Sequence, residues 1–194
     1  MGRWEPNARG RLAEAALRLY AEQGFDRTTV AEIAASVGVT ERTFFRHFTD
    51  KREVLFYGAE AALDLVTRAV AGAPESASPM VAVSGALQAF GAFFQEDPQR
   101  ARNRDAVVSA SAELRERELV KLDAFSLAMA GALRERGVAP RTATLAAEAG
   151  TAAFKIAYAE WMAIGRSGEK DRELPGLFLE VLAELTSVLD ATRD

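Results

Sequence analysis

The sequence predicts an all-α protein in two parts, a small three-helix part with a helix-turn-helix and a larger helical part. Alanine, leucine, glutamate and arginine dominate the 194 residues, and these residue types favour helices. Apolar residues recur at helical spacing along most of the chain, whereas no segment alternates as a strand does. The stretch 72–79, GAPESASP, lacks this period and is the clearest linker.

Capping residues and helix breakers predict the helix boundaries. Gly24 closes a first helix that begins near Asn7, and Thr49-Asp50 starts a fourth helix that runs to Gly72. Five further helices follow in the larger part. They span residues 79–95, 99–111, 113–136, 140–166 and 174–191, with a turn at 165–170.

Residues 29–51, TVAEIAASVGVTERTFFRHFTDK, predict two short helices that meet at a tight turn. The first helix carries one apolar stripe, and Thr29 with Glu32 fits a capping box at its start. Gly38 suits the left-handed residue that allows a sharp turn after a helix end. The sequence therefore predicts a helix-turn-helix.

The second helix of this pair has one apolar edge and one polar, basic face. Thr40 can cap it, and Phe44 and Phe48, four residues apart, form its buried edge. The remaining side chains are not needed for a core. A short helix of this kind suits insertion into the major groove of DNA, although most helix-turn-helix pairs in small helical proteins do not bind DNA.

Residue types needed for catalysis or metal binding are scarce. The chain has no cysteine and a single histidine, His47, which lies inside the predicted helix-turn-helix. A cysteine nucleophile and a His-rich metal site are therefore excluded, and a Ser-His-Asp triad would have to form on a helix too short for a cleft. The nearest phosphate-loop pattern, GRSGEK at 165–170, follows no strand. We expect a protein that is not an enzyme and that holds no cofactor or metal.

Hydropathy and charge limit the compartment and the kind of binding. No apolar run approaches the ~20 residues of a membrane span, so we expect a cytoplasmic protein without a membrane partner. The net charge is −4, and residues 1–58 contain nine Lys/Arg against eight Asp/Glu. Because this part has no broad positive field, any DNA binding must rest on individually placed contacts.

Pairs of residues around the helix-turn-helix occur in a fixed order. They are Ala16-Leu17, Leu19-Tyr20, Gly24-Phe25, Thr29-Val30, Ile33-Ala34, Gly38-Val39, Thr43 to Phe48, and Asp50-Lys51. In this order, over roughly residues 9–55, they resemble the DNA-binding signature of the TetR family of bacterial regulators. Phe45 stands where the family usually has tyrosine, so a phenol hydroxyl that could reach a phosphate is absent.

The resemblance implies a helix-turn-helix DNA-binding domain over residues 1–55 and a helical ligand-binding and dimerisation domain over residues 56–194. It implies that Arg42, Thr43 and Arg46 lie nearest the base edges, while flanking residues contact phosphates. His47 has an alternative role in local packing. The predicted DNA-binding residues are Thr28, Thr29, Thr40, Glu41, Arg42, Thr43, Phe45, Arg46, His47 and Lys51.

Aromatic residues on three helices of the larger part suggest an apolar ligand pocket, with ordinary core packing as the alternative. Residues 109–115 and Trp161 resemble an acyl-CoA-type, mycofactocin-regulator-like group of the family, although Ala112 replaces its usual proline. Arg104 would then bind a phosphate or carboxylate, or form an ordinary salt bridge. The predicted ligand residues are Phe90, Phe94, Arg104, Phe125, Met129, Phe154, Tyr158 and Trp161.

The last helix has an apolar face wider than one neighbour requires. This face comprises Leu177, Phe178, Val181, Leu182, Leu185, Val188 and Leu189. Core packing explains part of it, and pairing with a second subunit would explain the rest. The preceding helix has small residues that would allow close approach, namely Ala146, Ala147, Ala149, Gly150, Ala152 and Ala153. The resemblance implies a homodimer formed through the last two helices.

These features together predict a ligand-responsive DNA-binding transcriptional regulator. We expect a repressor that a small, largely apolar effector, such as an acyl-CoA, releases from a palindromic operator. The effector would change the distance between two recognition helices and mismatch them to half-sites ~34–36 Å apart. The alternatives are a transcriptional activator and a structural helical dimer without a small-molecule ligand.

Overall fold

The structure, a computed structural model, describes residues 7–167 and 172–191 and confirms the all-α prediction for them. No strand occurs in these ranges. The helices are α1 (Ala8–Gln23), α2 (Val30–Ser36), α3 (Glu41–His47), α4 (Ala59–Ala71), α5 (Pro79–Gln95), α6 (Pro98–Ser109), α7 (Ala112–Glu135), α8 (Pro140–Ser167) and α9 (Leu174–Asp190), with a 3-10 turn at Glu53–Phe56. Most helix ends predicted from the sequence lie within two residues of the observed helix ends. The predicted turn at 165–170 starts later, because α8 continues to Ser167, and residues 168–171 lie outside the described ranges.

The predicted fourth helix is wrong at its start. The chain forms the short 3-10 turn first, and Gly58 then adopts a φ of +97° before α4 begins at Ala59. A left-handed glycine interrupts a right-handed helix, so the segment cannot run as one helix from Thr49. The apolar periodicity continues through this break, which is why the sequence pattern did not show it.

The first compact unit combines residues 7–59 with residues 100–118. Val107, Val108 and Leu114 lie in the same buried core as Leu12, Ile33 and Phe44. Chain order alone predicts that residues 100–118 belong to the larger part. The segment belongs to the first unit because its apolar side chains complete that core.

Ion pairs also attach residues 100–118 to the rest of the first unit. They join Arg100 Nε to Glu14 Oε1 at 2.6 Å, Arg52 Nη1 to Glu113 Oε1 at 2.6 Å, and Arg117 to Glu53. These side chains are at least partly exposed, so solvent screens each pair and its contribution to stability is small. The apolar contacts are therefore the main stabilisation, and the ion pairs fix the orientation.

The second compact unit contains residues 60–99 and the described residues from 119 onward, with α5, α8 and α9 packed on one another. Two glycines set how closely these helices approach. A Cβ atom built on Gly150 of α8 would lie 2.3 Å from Val83 Cγ1 of α5, and one built on Gly91 of α5 would lie 2.7 Å from Phe178 Cε2 of α9. Small residues on α8 therefore serve packing within the chain. Ala146, Ala147, Gly150 and Ala153 are buried here rather than available for a second subunit.

The wide apolar face of α9 divides between the core and the surface. Leu177, Phe178 and Val181 are buried, and Leu182 and Leu185 are half-buried. Val188 is exposed, and the Leu189 side chain lies outside the described atoms. Packing within the chain therefore accounts for the first half of this face, as expected.

Arg136, just after α7, anchors the carboxyl end of α4. Its guanidinium donates hydrogen bonds to the carbonyl oxygens of Ala73 at 2.6 Å, Pro74 at 2.7 Å and Ala71 at 3.1 Å. A cation at a helix carboxyl end also interacts favourably with the helix dipole. Among the helices of the described ranges, none combines the length and the hydropathy needed to cross a membrane.

Candidate nucleic-acid interface

The capping box predicted at the start of α2 is present. The Thr29 hydroxyl oxygen accepts a hydrogen bond from Glu32 N at 3.2 Å, and Glu32 Oε2 accepts one from Thr29 N at 2.8 Å. Hydrogen bonds from the Thr29 backbone and side chain hold the pKa of Glu32 below its usual value. The box satisfies two backbone donors and fixes where α2 begins.

The turn between α2 and α3 has the predicted left-handed glycine. Gly38 adopts a φ of +73°, and Val39 N donates a hydrogen bond to Ala34 O at 3.0 Å. Thr40 then caps α3, since its hydroxyl oxygen accepts a hydrogen bond from Thr43 N at 3.3 Å. Local hydrogen bonds therefore set the angle between the two helices.

Phe44 and Phe48 form the buried edge of α3, as predicted. Phe44 is 0% exposed, Phe48 is 4% exposed, and their ring centroids are 5.5 Å apart. Burial of these two rings determines which side of α3 faces outward. The Arg9 guanidinium lies 5.5 Å from the centroid of the Phe48 ring and packs against it.

The outward side of α3 presents Glu41, Arg42, Phe45 and Arg46 as exposed residues. Phe45 is 54% exposed although it is a large apolar side chain. Within the described ranges, neither Arg42 nor Arg46 forms an ion pair or a side-chain hydrogen bond. Thr43 is half-buried beside them, and its hydroxyl lies 3.2 Å from that of Thr40. This face can therefore donate hydrogen bonds to a groove or to phosphates without breaking internal contacts.

Thr28 is not available for the predicted phosphate contact. The residue is 1% exposed, and its hydroxyl donates to Gly24 O at 2.8 Å and accepts from Gln23 Nε2 at 3.2 Å. A hydroxyl near a helix start predicts a DNA contact from sequence alone, because sequence does not show burial. Thr29, which is exposed, keeps its predicted position at the surface.

Lys51 is engaged inside the unit rather than directed at solvent. Its ammonium group donates to the carbonyl oxygens of Phe25 at 2.8 Å, Thr28 at 3.1 Å and Asp26 at 3.3 Å. It also lies 4.3 Å from the centroid of the Phe25 ring. These contacts join the residue after α3 to the turn before α2. Phosphate binding by Lys51 would compete with them, so we do not retain it as a DNA contact.

Tyr20 of α1 supports the same connection, which the sequence patterns did not indicate. Its hydroxyl donates a hydrogen bond to Lys51 O at 2.6 Å. Burial, with a smaller effect from Asp50, raises the pKa of the Tyr20 hydroxyl far above its usual value, so the proton stays in place as donor. The sequence could have indicated this hydrogen bond, because a tyrosine on the apolar face of a helix carries a hydroxyl that needs a hydrogen-bond partner when it is buried.

His47 is half-buried at the end of α3. Burial, and then the charges of Arg46 and Arg9, lowers the pKa of His47 below its usual value. The Nε2 atom is buried and has no hydrogen-bond partner among the described residues. The imidazole is therefore neutral at pH 7, and a phosphate nearby would favour its charged form.

The aromatic residues among the predicted ligand residues come together in the second unit, but as a packed cluster. Their centroids are 4.9 Å apart for Phe90 and Phe125, 5.4 Å for Phe90 and Phe154, and 5.5 Å for Phe154 and Tyr158. Trp161 also joins it through Phe94 at 6.5 Å. Met129 is fully buried, at 0% exposure. Rings at these distances contact one another, which is the core-packing alternative.

Arg104 belongs to the first unit and already has partners. Its Nη1 atom lies 2.8 Å from Glu118 Oε1, and its Nε atom donates to Leu55 O at 3.2 Å. Its guanidinium carbon lies 5.0 Å from the centroid of the Phe56 ring. Arg104 therefore forms an ordinary salt bridge with Glu118, which was the alternative to a ligand contact.

An all-α chain with a capped helix-turn-helix and an exposed basic face on its second helix defines the helix-turn-helix class of proteins. Residues 12–57 match the family described as bacterial regulatory proteins, tetR family. The transcriptional regulator TcmR of Streptomyces glaucescens is 41% identical over 81 residues, which cover 42% of this chain and 36% of TcmR. Residues 12–57 thus carry the match to the tetR family of bacterial regulatory proteins, and this confirms the sequence-based resemblance of that part of the chain.

Two further proteins resemble a larger share of the chain. The putative mycofactocin biosynthesis transcriptional regulator MftR of Mycobacterium tuberculosis is 25% identical over 135 residues, covering 70% of this chain and 64% of MftR. The structure of FadR from Bacillus subtilis, solved in complex with stearoyl-CoA, has a TM-score of 0.61 at 20% identity and covers 90% of this chain and 95% of that chain. The chain spans about a third of the length of TcmR and about two thirds of MftR. These relatives are described as regulators, in agreement with the prediction that the chain is not an enzyme.

Proposed function

We propose that the chain is a transcriptional regulator that binds double-stranded DNA through α3. The observation that carries this proposal is the outward face of α3, where Arg42 and Arg46 are exposed and without internal ion pairs in the described ranges. Two buried phenylalanines and the Thr40 cap hold this helix in place, and the Thr29 cap fixes the start of the preceding α2. A rigid helix with free guanidinium groups suits bidentate contacts to guanine in a major groove.

The proposed contacts divide into base-edge and phosphate contacts. Arg42, Thr43 and Arg46 read bases, while Thr29, Thr40 and His47 position the helix on phosphates. Glu41 and Phe45 lie on the same face, and the exposed ring of Phe45 suits contact with a thymine methyl group. Thr28 and Lys51 act indirectly, since both are engaged within the unit.

Binding-site selection from a random duplex library tests the proposal. A regulator with two equivalent α3 helices should select a palindrome whose half-sites are about one turn apart. Fluorescence anisotropy should then show tighter binding to the selected duplex than to a scrambled duplex at the same salt concentration. Equal affinity for the two duplexes would exclude sequence recognition by α3.

We further propose a homodimer formed through α8 and α9. The exposed side of α8 carries apolar residues at alternating spacings of four and three, namely Leu145, Ala149, Ala152, Ile156, Ala159 and Ala163. Leu145 is 62% exposed and Ile156 is 58% exposed. Leu179 and Val188 expose apolar surface on α9. Such a seam matches knobs-into-holes pairing of helices, and a second copy of this chain would cover it.

A small, largely apolar effector that controls DNA binding completes the proposal, with a repressor in the cytoplasm as the simplest arrangement. An acyl-CoA is one candidate, since FadR of Bacillus subtilis was solved with stearoyl-CoA, but at 20% identity that likeness supports the fold alone. The pairing of Arg104 with Glu118 also removes its predicted anionic-end contact. A transcriptional activator would use the same DNA-binding surface. A reporter gene placed behind the selected operator distinguishes the two, because a repressor lowers its expression and an activator raises it.

A further inference from the structure

Arg9, near the start of α1, lies beside the end of α3 in the first unit. Its guanidinium carbon is 5.5 Å from the centroid of the Phe48 ring and 5.5 Å from the centroid of the Tyr57 ring. The two rings meet edge to face, with their centroids 6.4 Å apart. A guanidinium packed on aromatic rings is held in position and keeps N–H groups at its edge as donors. Arg9 is exposed, so an anion can reach it from solvent.

His47 precedes Phe48 and lies on the same end of α3. The residue is half-buried, so part of the imidazole ring stays accessible to solvent. The Nε2 atom is on the buried part and has no hydrogen-bond partner among the described residues. Internal contacts therefore do not occupy this imidazole, and the accessible part of the ring can accept a new partner.

The charged groups that act on the His47 imidazole are cations. After burial, which is the larger cause, the charges of Arg46 on α3 and Arg9 on α1 lower the pKa of His47. The next carboxylate along the chain, Asp50, is engaged with Arg52, whose N and Nη2 atoms donate to it at 2.8 Å and 2.9 Å. Two guanidinium groups around one imidazole attract an anion, and a phosphate of the DNA backbone has this charge.

We propose that Arg9 and His47 together bind one phosphate of the DNA backbone, and that this phosphate charges the imidazole, so that DNA binding takes up one proton from the solvent. This inference rests on the proposed function, because α3 brings the phosphate to the end where both residues lie. Arg9 adds a contact from α1, outside the recognition helix. Phosphate contacts from two helices would fix the orientation of α3 in the groove, while Arg46 remains available for base edges.

The direction of the pH dependence follows from the two states of His47. In the DNA-free chain the pKa of His47 is below its usual value, and a bound phosphate would raise it. Affinity for DNA should therefore increase as the pH falls through the pKa of the complex, and level off below the pKa of the DNA-free chain. Each unit by which DNA raises the pKa should tighten binding at low pH about tenfold.

His47 is the only histidine in the sequence, so its imidazole gives a single set of NMR signals in an untagged chain. The chemical shift of the Hε1 proton against pH reports the pKa of His47 directly. A scrambled duplex bound at low salt should raise this pKa by at least about one unit, since phosphate contacts do not depend on sequence. Arg9→Met should raise the pKa of His47 in the DNA-free chain, because it removes a neighbouring positive charge.

Affinity measurements with a matched control test the role of Arg9. Arg9→Met should weaken binding to the selected and the scrambled duplex by a similar factor, about fivefold, and reduce the salt slope by ~1. Arg18→Met is the control, because Arg18 is exposed on the same helix, nine residues and therefore about half a turn around the axis from Arg9. It should leave affinity and slope unchanged. Circular dichroism of both variants verifies the fold.

The pH profile of binding tests the proton uptake. The wild-type chain should bind either duplex more tightly at pH 5.5 than at pH 8, and His47→Gln should remove most of this difference. Glutamine keeps a hydrogen-bond donor but cannot take up a proton. Equal pH profiles of the two proteins, or equal effects of Arg9→Met and Arg18→Met on affinity, would overturn the proposal.

The NMR titration separates failure of this inference from failure of the proposed function. A His47 pKa that is the same with and without a bound duplex would overturn the phosphate site, although α3 could still recognise a sequence. If the scrambled duplex raises the pKa of His47 but no duplex sequence is preferred, the phosphate site stands and sequence recognition by α3 is rejected. Absence of binding to any duplex would overturn both.

Discussion

The ammonium nitrogen of Lys51 lies 2.8 Å from the carbonyl oxygen of Phe25, 26 residues earlier in the chain. Together with the Thr28 and Asp26 carbonyl oxygens, this contact fixes the turn before α2 to the residue after α3. A lysine next to a helix-turn-helix was expected to bind phosphate. Its three carbonyl partners indicate instead that Lys51 positions the two helices.

Lys51→Met should lower the free energy of unfolding by about 1–3 kcal/mol, because it leaves three carbonyl oxygens without their charged donor. Urea denaturation measures this loss. The slope of log affinity against log salt for a non-specific duplex should stay the same, since no phosphate contact is removed. Arg46→Met is the opposite control, with unchanged stability and weaker binding to the selected operator. A slope reduced by ~1 in Lys51→Met at unchanged stability would restore the phosphate contact.

Arg42→Ala and Arg46→Ala should each weaken binding to the selected operator by about 1–3 kcal/mol, as expected for loss of a bidentate base contact. Both guanidinium groups are exposed, so the free energy of unfolding should hardly change. Anisotropy titrations with specific and scrambled duplexes separate base reading from phosphate binding. If neither variant changes operator affinity, the recognition face of α3 is assigned wrongly.

Ile156→Glu on α8 should give a monomer or an aggregate in light scattering, because a charge would be buried without a partner in the proposed dimer. Leu127→Glu on α7 is the matched control, since Leu127 is 59% exposed and lies outside α8 and α9. Operator affinity should fall with the dimer, because one half-site supplies only part of the contacts. A wild-type chain that is monomeric at micromolar concentration would contradict the dimer. The same measurement on Leu182→Glu is less informative, since Leu182 is already half-buried within the chain.

Stability should fall as the pH drops below about 6.5, the usual pKa of histidine, because burial lowers the pKa of His47 in the folded chain. The unfolded chain then takes up the proton first, so the loss begins near the unfolded pKa and is complete below the folded one. Urea midpoints at pH 7.5 and 5.5 measure the effect. His47→Gln should show a smaller difference between these two conditions. An identical difference in both proteins would assign the pH dependence to carboxyl groups.

The parts of the fold set by local sequence could be predicted, and the parts set by distant contacts could not. The capping box of Thr29 and Glu32 and the left-handed Gly38 depend on neighbours within a few residues, so their signals are complete in the sequence. Burial of Thr28 and the partners of Lys51 depend on atoms up to 31 residues away. Residue type alone cannot distinguish a hydroxyl or ammonium group that faces DNA from one that faces the core.

The same limit applies to the ligand residues. Phenylalanines at helical spacing look alike whether they line a cavity or pack on one another, and here Phe90 and Phe125 lie 4.9 Å apart. An open groove of the second unit is lined instead by mixed apolar and polar residues such as Met80, Ser84 and Leu182, which carry no distinctive sequence signal. Open space between helices arises where side chains are small, and periodicity identifies apolar faces without reporting their volume.

Residues 100–118 complete the core of the first unit, although more than forty residues separate them from α3 and the 3-10 turn. The DNA-binding part of this protein is therefore not a cassette that can be cut out at one point of the gene. A chimera that joins its first 58 residues to the remaining helices of another regulator would place foreign side chains where Val107, Val108 and Leu114 now pack. Exchange of operator specificity between such proteins should then succeed more readily by grafting the exposed face of α3 than by swapping whole amino-terminal segments.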